Sequence, residues 1–448
     1  VALPAHQVTT RHLGAAYPFA AADALGGGGV LIGRDLFGGA FAHDPFELYR
    51  RQVVTNPNMV VFGQIGRGKS ALVKTYLWRQ AVFGRRAWVV DPKGEYGTLA
   101  NHWGVTPVAL RPGGSLRLNP LEAPPTTGDE RVVGEGARSH EDVVRRRAEL
   151  LCALAEAGLV RRLLPSERVA VELAVESVSN RRTVPVLPDV VAAMLAPNPA
   201  AAAAVGTDPA TLAADGRQAA LELRRLVSGD LRGMFDGPTS PGIDLNGPLV
   251  VLDLSLLYQS SALGVVMACA TAWLHAQLAG SAGGTAPVSG SGGVLIVVDE
   301  AWAILSNLGV ARWLQSSWKL ARAWGAANIA VLHRVSDLTA AGSAGSEHRR
   351  LAEGLLADSE TRVVYGQAPG EVVEARRLLG LTATEAELVP RLGRGVALWR
   401  VGGRSFVVRH LVAAAEAVIV GTDWSMSAAA VTPTQPGLQA DRPAAVVR

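Results

Sequence analysis

Short apolar runs closed by polar or glycine-containing turns recur along the chain and alternate with segments of helical period. MVVFG (Met59 to Gly63), RRAWVVD ending at Asp91, PLVVLDLS, VLIVVDE, ANIAVLH, TRVVYGQ and GVALWRV predict strands, most of them continuous apolar runs of the kind buried on both faces. Lys69 to Phe83, and the stretches between most of the later runs, carry the period of helices. Strands that alternate with helices imply an α/β fold with a mostly parallel central sheet. Ahead of this, GVLIGRD follows the glycine run Gly26 to Gly29 and precedes the turn Asn56-Pro57-Asn58, so short strands are expected there too.

The alternation is interrupted once. After LRLNPL (Leu116 to Leu121) a linker, Pro124 to Gly128, leads to a segment in which Val and Leu recur at helical spacing against Arg and Glu, from Asp142 to about Val227. Pro165, Pro185, Pro188 and the Ala-rich Pro197 to Gly206 break it into several helices. The expected organisation is an N-terminal extension at 1–29, an α/β core at 30–130 and 245–422, an inserted all-α subdomain at 131–244, and a disordered tail at 423–448, rich in Ser, Ala, Thr and Pro.

Composition narrows the class. Hydrophobic residues make up 49% and charged residues 18% of the 448, which suits a globular α/β protein and argues against global disorder. A net charge of +4 is too small to attract nucleic acid by bulk electrostatics, although a basic pore is compatible with a balanced total. Cys152 and Cys269, the only cysteines, sit in apolar helical sequence, so neither a disulfide framework nor a thiolate metal site is indicated. Residues 1–13 lack the basic-then-apolar form of a secretory signal, and with the cysteine usage this leads to an expectation of a cytoplasmic protein. Ser261 to Gly280 is uncharged and long enough to span a membrane. Its place between two strand-like runs, and its His275 and Gln277, make it a buried crossover helix, so no integral span is expected.

The chemistry begins where the Met59 strand ends. Gly63-Gln64-Ile65-Gly66-Arg67-Gly68-Lys69-Ser70 fits GxxxxGK[ST] between an apolar strand and a helix, the context in which this pattern binds nucleoside triphosphates. Glycines let successive N–H groups converge on phosphate oxygens, the lysine meets the β and γ phosphates, and the helix N-terminus adds its positive end. Candidate nucleotide contacts run through Gly63, Gln64, Ile65, Gly66, Arg67, Gly68, Lys69, Ser70 and Ala71, with the Ser70 hydroxyl also a ligand for Mg2+. Far downstream, VLIVVDE ends in Asp299-Glu300, at the carboxyl end of a buried strand, where open α/β sheets bind ligands. Asp299 is the second candidate Mg2+ ligand and Glu300 the group that polarises the attacking water, so ATP hydrolysis is the expected reaction. Asp91 either approaches the same rim as a nucleotide contact, with Lys93 and Glu95 behind it, or organises a charged turn. Asp253 reads as a cap.

GQIGRGKS, VVDPKGEY, LNPL, VVLDLS and VVDEAWAIL followed by ARAWG together resemble the motor ATPases of conjugation and type IV secretion, in the HerA/FtsK superfamily, over about Gly29 to Arg409. The resemblance implies a RecA-like core that binds ATP and Mg2+ between subunits of a hexameric ring. Such a ring powers macromolecular transfer through membrane-embedded channel components, from the inner face of a bacterial cytoplasmic membrane. One alternative is a DNA translocase or coupling protein of the same superfamily, with DNA as partner; another is a nucleotide-gated assembly protein with little hydrolysis. Many members place Thr-Gln after the strand that follows the acidic pair, where the glutamine senses the γ-phosphate. This chain has His333-Arg334 there, so Arg334 is a candidate sensor and a plain polar loop the alternative. Hydrolysis in a ring also draws positive charge from the neighbouring subunit. Arg362, at the start of TRVVYGQ, is favoured over Arg349, Arg350, Arg391 and Arg394, because a strand start holds a side chain rigidly. Between Leu308 and Trp324 a stripe of Arg312, Gln315, Lys319 and Arg322 is either solvated or an interface.

Overall fold

The computed structural model describes residues 25, 28–122, 140–245, 247–281, 292–321, 324–334 and 347–421. The expectations for most of the 1–29 extension, the Pro124 to Gly128 linker, Arg322 and the 423–448 tail lie outside the described residues. Among the described residues, eleven strands form one sheet: β1 (Val30–Asp35), β2 (Ala40–His43), β3 (Met59–Phe62), β4 (Arg85–Asp91), β5 (Val108–Ala109), β6 (Leu249–Asp253), β7 (Gly292–Val298), β8 (Ala326–Leu332), β9 (Thr361–Tyr365), β10 (Val396–Val401) and β11 (Arg404–His410). Their order is β2-β1-β11-β10-β9-β3-β8-β7-β4-β6-β5. From β9 to β5 every neighbour is parallel; from β9 back to β2 every neighbour is antiparallel.

The expected α/β fold with a mostly parallel sheet is therefore present. β5 and β11 were not expected from the apolar runs, because β5 is a two-residue edge strand and β11 exposes or half-exposes most of its side chains after the tight Gly402-Gly403 turn. Register is what assembles the site. Phe62 lies beside both Leu332 and Val364, and Val298 beside both Val90 and Ala330, so the carboxyl ends of β9, β3, β8, β7 and β4 share one edge.

Along the strands, side chains alternate between two apolar layers. Val60, Phe62, Trp88, Val90, Ile296 and Val298 join a layer built with Trp273 and Leu274 of helix Leu263–Ser281, whereas Met59, Val61, Val89 and Val297 join Leu72, Val73 and Tyr76 of helix Lys69–Gln80. Helix Leu263–Ser281 is the crossover from β6 to β7, and no helix among the described residues is long and apolar enough to cross a membrane.

Between β5 and β6 stand the helices His140–Leu159, Pro165–Arg181, Leu187–Leu195, Pro199–Ala204 and Pro209–Ser228. Four of them carry proline in the first turn, where a missing N–H costs nothing, so Pro165 and Pro188 act as starts of helices. Chain segments on either side of these helices run together. The Gly113 N–H donates to the Arg232 carbonyl and the Leu118 N–H to that of Met234, both at 2.8 Å, and Arg117 pairs with Asp236 at 2.8 Å. Arg312, on helix Leu308–Ala321, reaches Glu156 of the inserted helices at 3.0 Å and Glu347 at 2.7 Å. The stripe to which it belongs is thus in part an internal joint between the core and the insertion.

Three imidazoles in this framework have pKa values pushed down to about 4: His43 and His275 by burial, His410 by burial and then by the Arg79 guanidinium. Below the ordinary value of 6.5 the unfolded chain takes up protons that the folded chain refuses. Their contribution is complete above that value and is lost as pH falls towards 4, by about 1.4 kcal/mol per pH unit for each group. Between pH 6.5 and 4 the urea midpoint of His275→Phe is therefore expected to rise relative to that of wild type, because one of these proton uptakes by the unfolded chain is gone.

Candidate nucleotide-binding site

β3 ends at Phe62 and the chain turns through residues 63–68 into helix Lys69–Gln80. Gly66 and Gly68 hold φ of 77° and 109°, a region strained for any residue with a Cβ, and a Cβ on Gly63 would lie 2.5 Å from that of Tyr365. The motif's glycine spacing is therefore a demand of the loop's own geometry. The loop is braced from the β10 side: the Gly395 N–H donates to the Arg67 carbonyl at 3.0 Å, and Arg67 donates to Gln64 Oε1 at 3.2 Å and to the Leu392 carbonyl at 3.4 Å. Ile65 is exposed at the tip, and Ser70 and Ala71 lie half-buried in the helix's first turn. The Lys69 ammonium donates to the carbonyls of Gly63 and, at 3.1 Å, Gln64, and lies 3.2 Å from His333 Nδ1. Burial pushes its pKa down to about 8, against the raising effect of Asp299 and Glu300.

β7 delivers the two acids to the same edge. The Asp299 N–H donates to the Val90 carbonyl at 3.2 Å and the Ala301 N–H to that of Val331 at 3.0 Å, so the backbone on either side of Glu300 is pinned between β4 and β8. Between these pins Glu300 adopts φ of 51°, a left-handed conformation that costs an L-residue about 1–2 kcal/mol and persists where the surroundings impose it. Its carboxylate, almost fully buried, forms an ion pair with Lys93, accepts from Trp302 Nε1 at 2.5 Å, and meets His333 Nε2 at 2.6 Å. Burial alone would raise this carboxyl, but the bonds from His333, Lys93 and Trp302 hold its pKa down at about 2. With Nδ1 facing the Lys69 ammonium and Nε2 facing the carboxylate, a neutral His333 fits as the Nε2–H tautomer.

Asp299 accepts from the Glu300 N–H at 2.9 Å and from the Tyr96 hydroxyl at 3.2 Å. Burial, and then the Glu300 carboxylate beside it, push its pKa up to about 7, so a cation at this carboxylate would be strongly favoured. The donor set fits Mg2+ carried in by a triphosphate. Asp299 and the Ser70 hydroxyl would be its protein ligands, and the described residues hold no cluster of three His, Cys, Asp or Glu suited to a metal without phosphate.

Asp91 organises the turn that follows β4. Its oxygens accept from the N–H groups of Lys93 and Glu95 at 3.2 Å and of Tyr96 at 2.9 Å, and burial pushes its pKa up to about 6. That turn carries Lys93 to Glu300 and Tyr96 to Asp299. Asp253 caps the short turn Ser255–Leu257 through the Ser255 N–H at 2.9 Å.

After β8 it is His333 that enters the cluster, while Arg334 is exposed. Arg362 donates to the carbonyls of Leu356, Leu379 and Ser359 at 2.8, 2.9 and 3.2 Å, so its guanidinium bonds within its own chain. Arg349 pairs with Glu374 at 2.6 Å. Arg350, Arg391 and Arg394 are exposed, the last two beside the Leu392 and Gly395 groups that brace the phosphate loop. Sequence reasoning gave no site role to Tyr96, Trp302 or His333 and placed Lys93 only behind Asp91. Their signal was proximity to a motif: Lys93 and Tyr96 in DPKGEY, Trp302 two residues after the acidic pair.

Loop, acidic pair and strand order together define a RecA-like P-loop core in an α/β protein. No family model and no curated protein sequence matches the chain. Among solved structures, it is similar to VirB4 of Thermoanaerobacter pseudethanolicus, with a TM-score of 0.69 at 19% identity, over 89% of this chain and 100% of that one. It is also similar to the bacterial conjugative coupling protein TrwB in its unbound form, with a TM-score of 0.55 at 14% identity over 80% of this chain and 85% of that one. The plasmid coupling protein TrwB in complex with ADP and Mg2+ gives 0.54 at 15% identity, over 80% and 85%. The chain thus shares the fold of VirB4 and TrwB; identities this low speak for the fold alone.

Proposed function

We propose that this chain is an ATP-hydrolysing motor that energises conjugative DNA transfer or type IV secretion. The observation that carries the reading is the convergence of Lys69, Asp299 and Glu300 at one sheet edge, on a fold that matches VirB4 along the whole of that chain. In this reading the loop amides and Lys69 hold the phosphates of ATP, Ser70 and Asp299 orient Mg2+, and Glu300 takes the proton of the attacking water. Bound Mg2+ supplies positive charge at the phosphate oxygens. The active form is a homo-oligomeric ring, hexameric by analogy with the superfamily, docked from the cytoplasmic side on membrane-embedded channel components. With Arg362 committed internally, Arg391 and Arg394, exposed near the phosphate loop, are the arginines we propose to act between subunits.

The likeness to TrwB supports a second reading, a DNA-translocating coupling ATPase. Steady-state ATP hydrolysis with and without single-stranded and double-stranded DNA separates the two. Mg2+-dependent turnover indifferent to DNA is expected of the secretion motor. Stimulation by DNA that fades as salt rises, because phosphate contacts release counterions, assigns the chain to the translocase. ATP binding without turnover leaves a nucleotide-gated assembly protein and refutes the motor.

A further inference from the structure

The turn after β4 brings in an ammonium that neither the phosphate loop nor the acidic pair explains. Lys93 Nζ pairs with Glu300 Oε1 and lies 3.3 Å from His333 Nε2, on the ring whose Nδ1 is 3.2 Å from Lys69 Nζ. Two lysines, one from the end of β3 and one from beyond β4, thus converge on a single imidazole although β8 and β7 lie between those strands. Each lowers the other's comfort: like charges this close repel unless an anion lies between them. Glu300 meets the Lys93 charge directly, but Lys69 bonds to carbonyls and His333, with no carboxylate among its hydrogen-bond partners. Lys69 thus feels Asp299 and Glu300 without bonding to either, and its ammonium, held only by carbonyls and an imidazole, stands with that of Lys93 ready for a polyanionic ligand.

Glu300 meanwhile is gripped by Lys93, His333 and Trp302 together. Three donors fill three of the carboxylate's about four acceptor sites and both of those on Oε1, so that oxygen has none left for water until one donor leaves. Lys93 is the donor most able to leave. Its backbone is set by the Asp91 turn and by Gly94 at φ of 71°, while its side chain is half-buried and crosses the Tyr258 ring, 5.6 Å from its centre.

We propose that Lys93 is a second phosphate-binding lysine that exchanges partners, leaving Glu300 for the terminal phosphate of ATP and so freeing the carboxylate for water. The proposal rests on the ATPase reading above and adds to it a residue that tells a triphosphate from a diphosphate. ADP, which lacks the terminal phosphate, would leave Lys93 on Glu300.

Equilibrium binding of Mg-ADP and of a non-hydrolysable Mg-bound ATP analogue to the full chain tests this. Wild type is expected to prefer the ATP analogue. Lys93→Met is expected to lose about tenfold in affinity for the analogue and less than about twofold for ADP, while Lys93→Arg keeps most of the preference. ADP binding by Lys93→Met doubles as the check that the variant is folded. A Lys93→Met/Glu300→Gln double variant, which removes the carboxylate left unpaired, is expected to show the same selective loss. Equal loss for both nucleotides, or no loss for the analogue, overturns the proposal. Failure of wild type to bind either nucleotide instead refutes the ATPase reading itself.

Discussion

A Glu300→Gln chain is expected to bind Mg-ATP as wild type does and to hydrolyse it about 10²–10⁴-fold more slowly. The amide preserves shape, and its one carbonyl oxygen can still accept either at the Oε1 position, from His333, or at the Oε2 position, from Trp302, but it cannot take a proton from water at any ordinary pH. Backbone geometry is not at stake. The φ of 51° at this position is imposed by the bonds from Asp299 to Val90 and from Ala301 to Val331, neither of which involves the side chain. Asp299, Ser70 and Lys69 remain in place, so phosphate and Mg2+ binding have no reason to fall. Single-turnover hydrolysis and equilibrium ATP binding, measured on the same preparation, check both halves. Normal turnover by this variant removes Glu300 as the base, and loss of binding makes its role structural.

The parts of the site that the sequence revealed are those written in consecutive residues. Gly63 to Ser70 and the pair Asp299-Glu300 are local patterns, and their chemistry follows from residue types and from their place at strand ends. The middle of the sheet was equally legible, because β3, β4, β6, β7 and β8 are apolar runs with no competing helical period. What stayed hidden depends on which strands become neighbours. Lys93 and His333 meet Glu300 because β4 and β8 flank β7, with Val90 and Ala330 both opposite Val298, and no spacing along the chain encodes that register. Arg362 shows the opposite limit. Its position at a strand start was read correctly, but the three carbonyls that hold it come from Leu356, Ser359 and Leu379, whose approach is tertiary.

The left-handed backbone at Glu300 belongs with these hidden features. Nothing in VVDEAW marks a residue at positive φ, since the sequence offers no glycine or asparagine there. The conformation comes from pinning the chain on both sides at once, and it turns a strand end into a reach toward Lys93 and His333. Strain of this kind is retained where the arrangement it produces is used.

The largest effect on binding is expected at Lys69. The residue is 5% exposed, and burial lowers its pKa from 10.5 to about 8. Because the unfolded chain holds that proton more tightly, the group subtracts stability at neutral pH, by about 3 kcal/mol, and the deficit shrinks by about 1.4 kcal/mol per pH unit as pH rises from 8 towards 10.5. A buried cation of this cost makes sense if phosphate oxygens repay it with charge-assisted bonds, each worth about 1.5–3 kcal/mol. Lys69→Ala should therefore melt no lower than wild type in the absence of nucleotide, and higher if the small side chain leaves the loop undistorted. Added Mg-ATP separates the two proteins. Saturation at a hundred times the dissociation constant stabilises a binding protein by about 2.7 kcal/mol, a shift expected for wild type and absent from Lys69→Ala at the same concentration. Thermal denaturation with and without Mg-ATP measures both effects. A variant that melts early without nucleotide shows Lys69 to be a structural brace, and one that still gains wild-type stability from Mg-ATP shows that the loop lysine does not bind the phosphates.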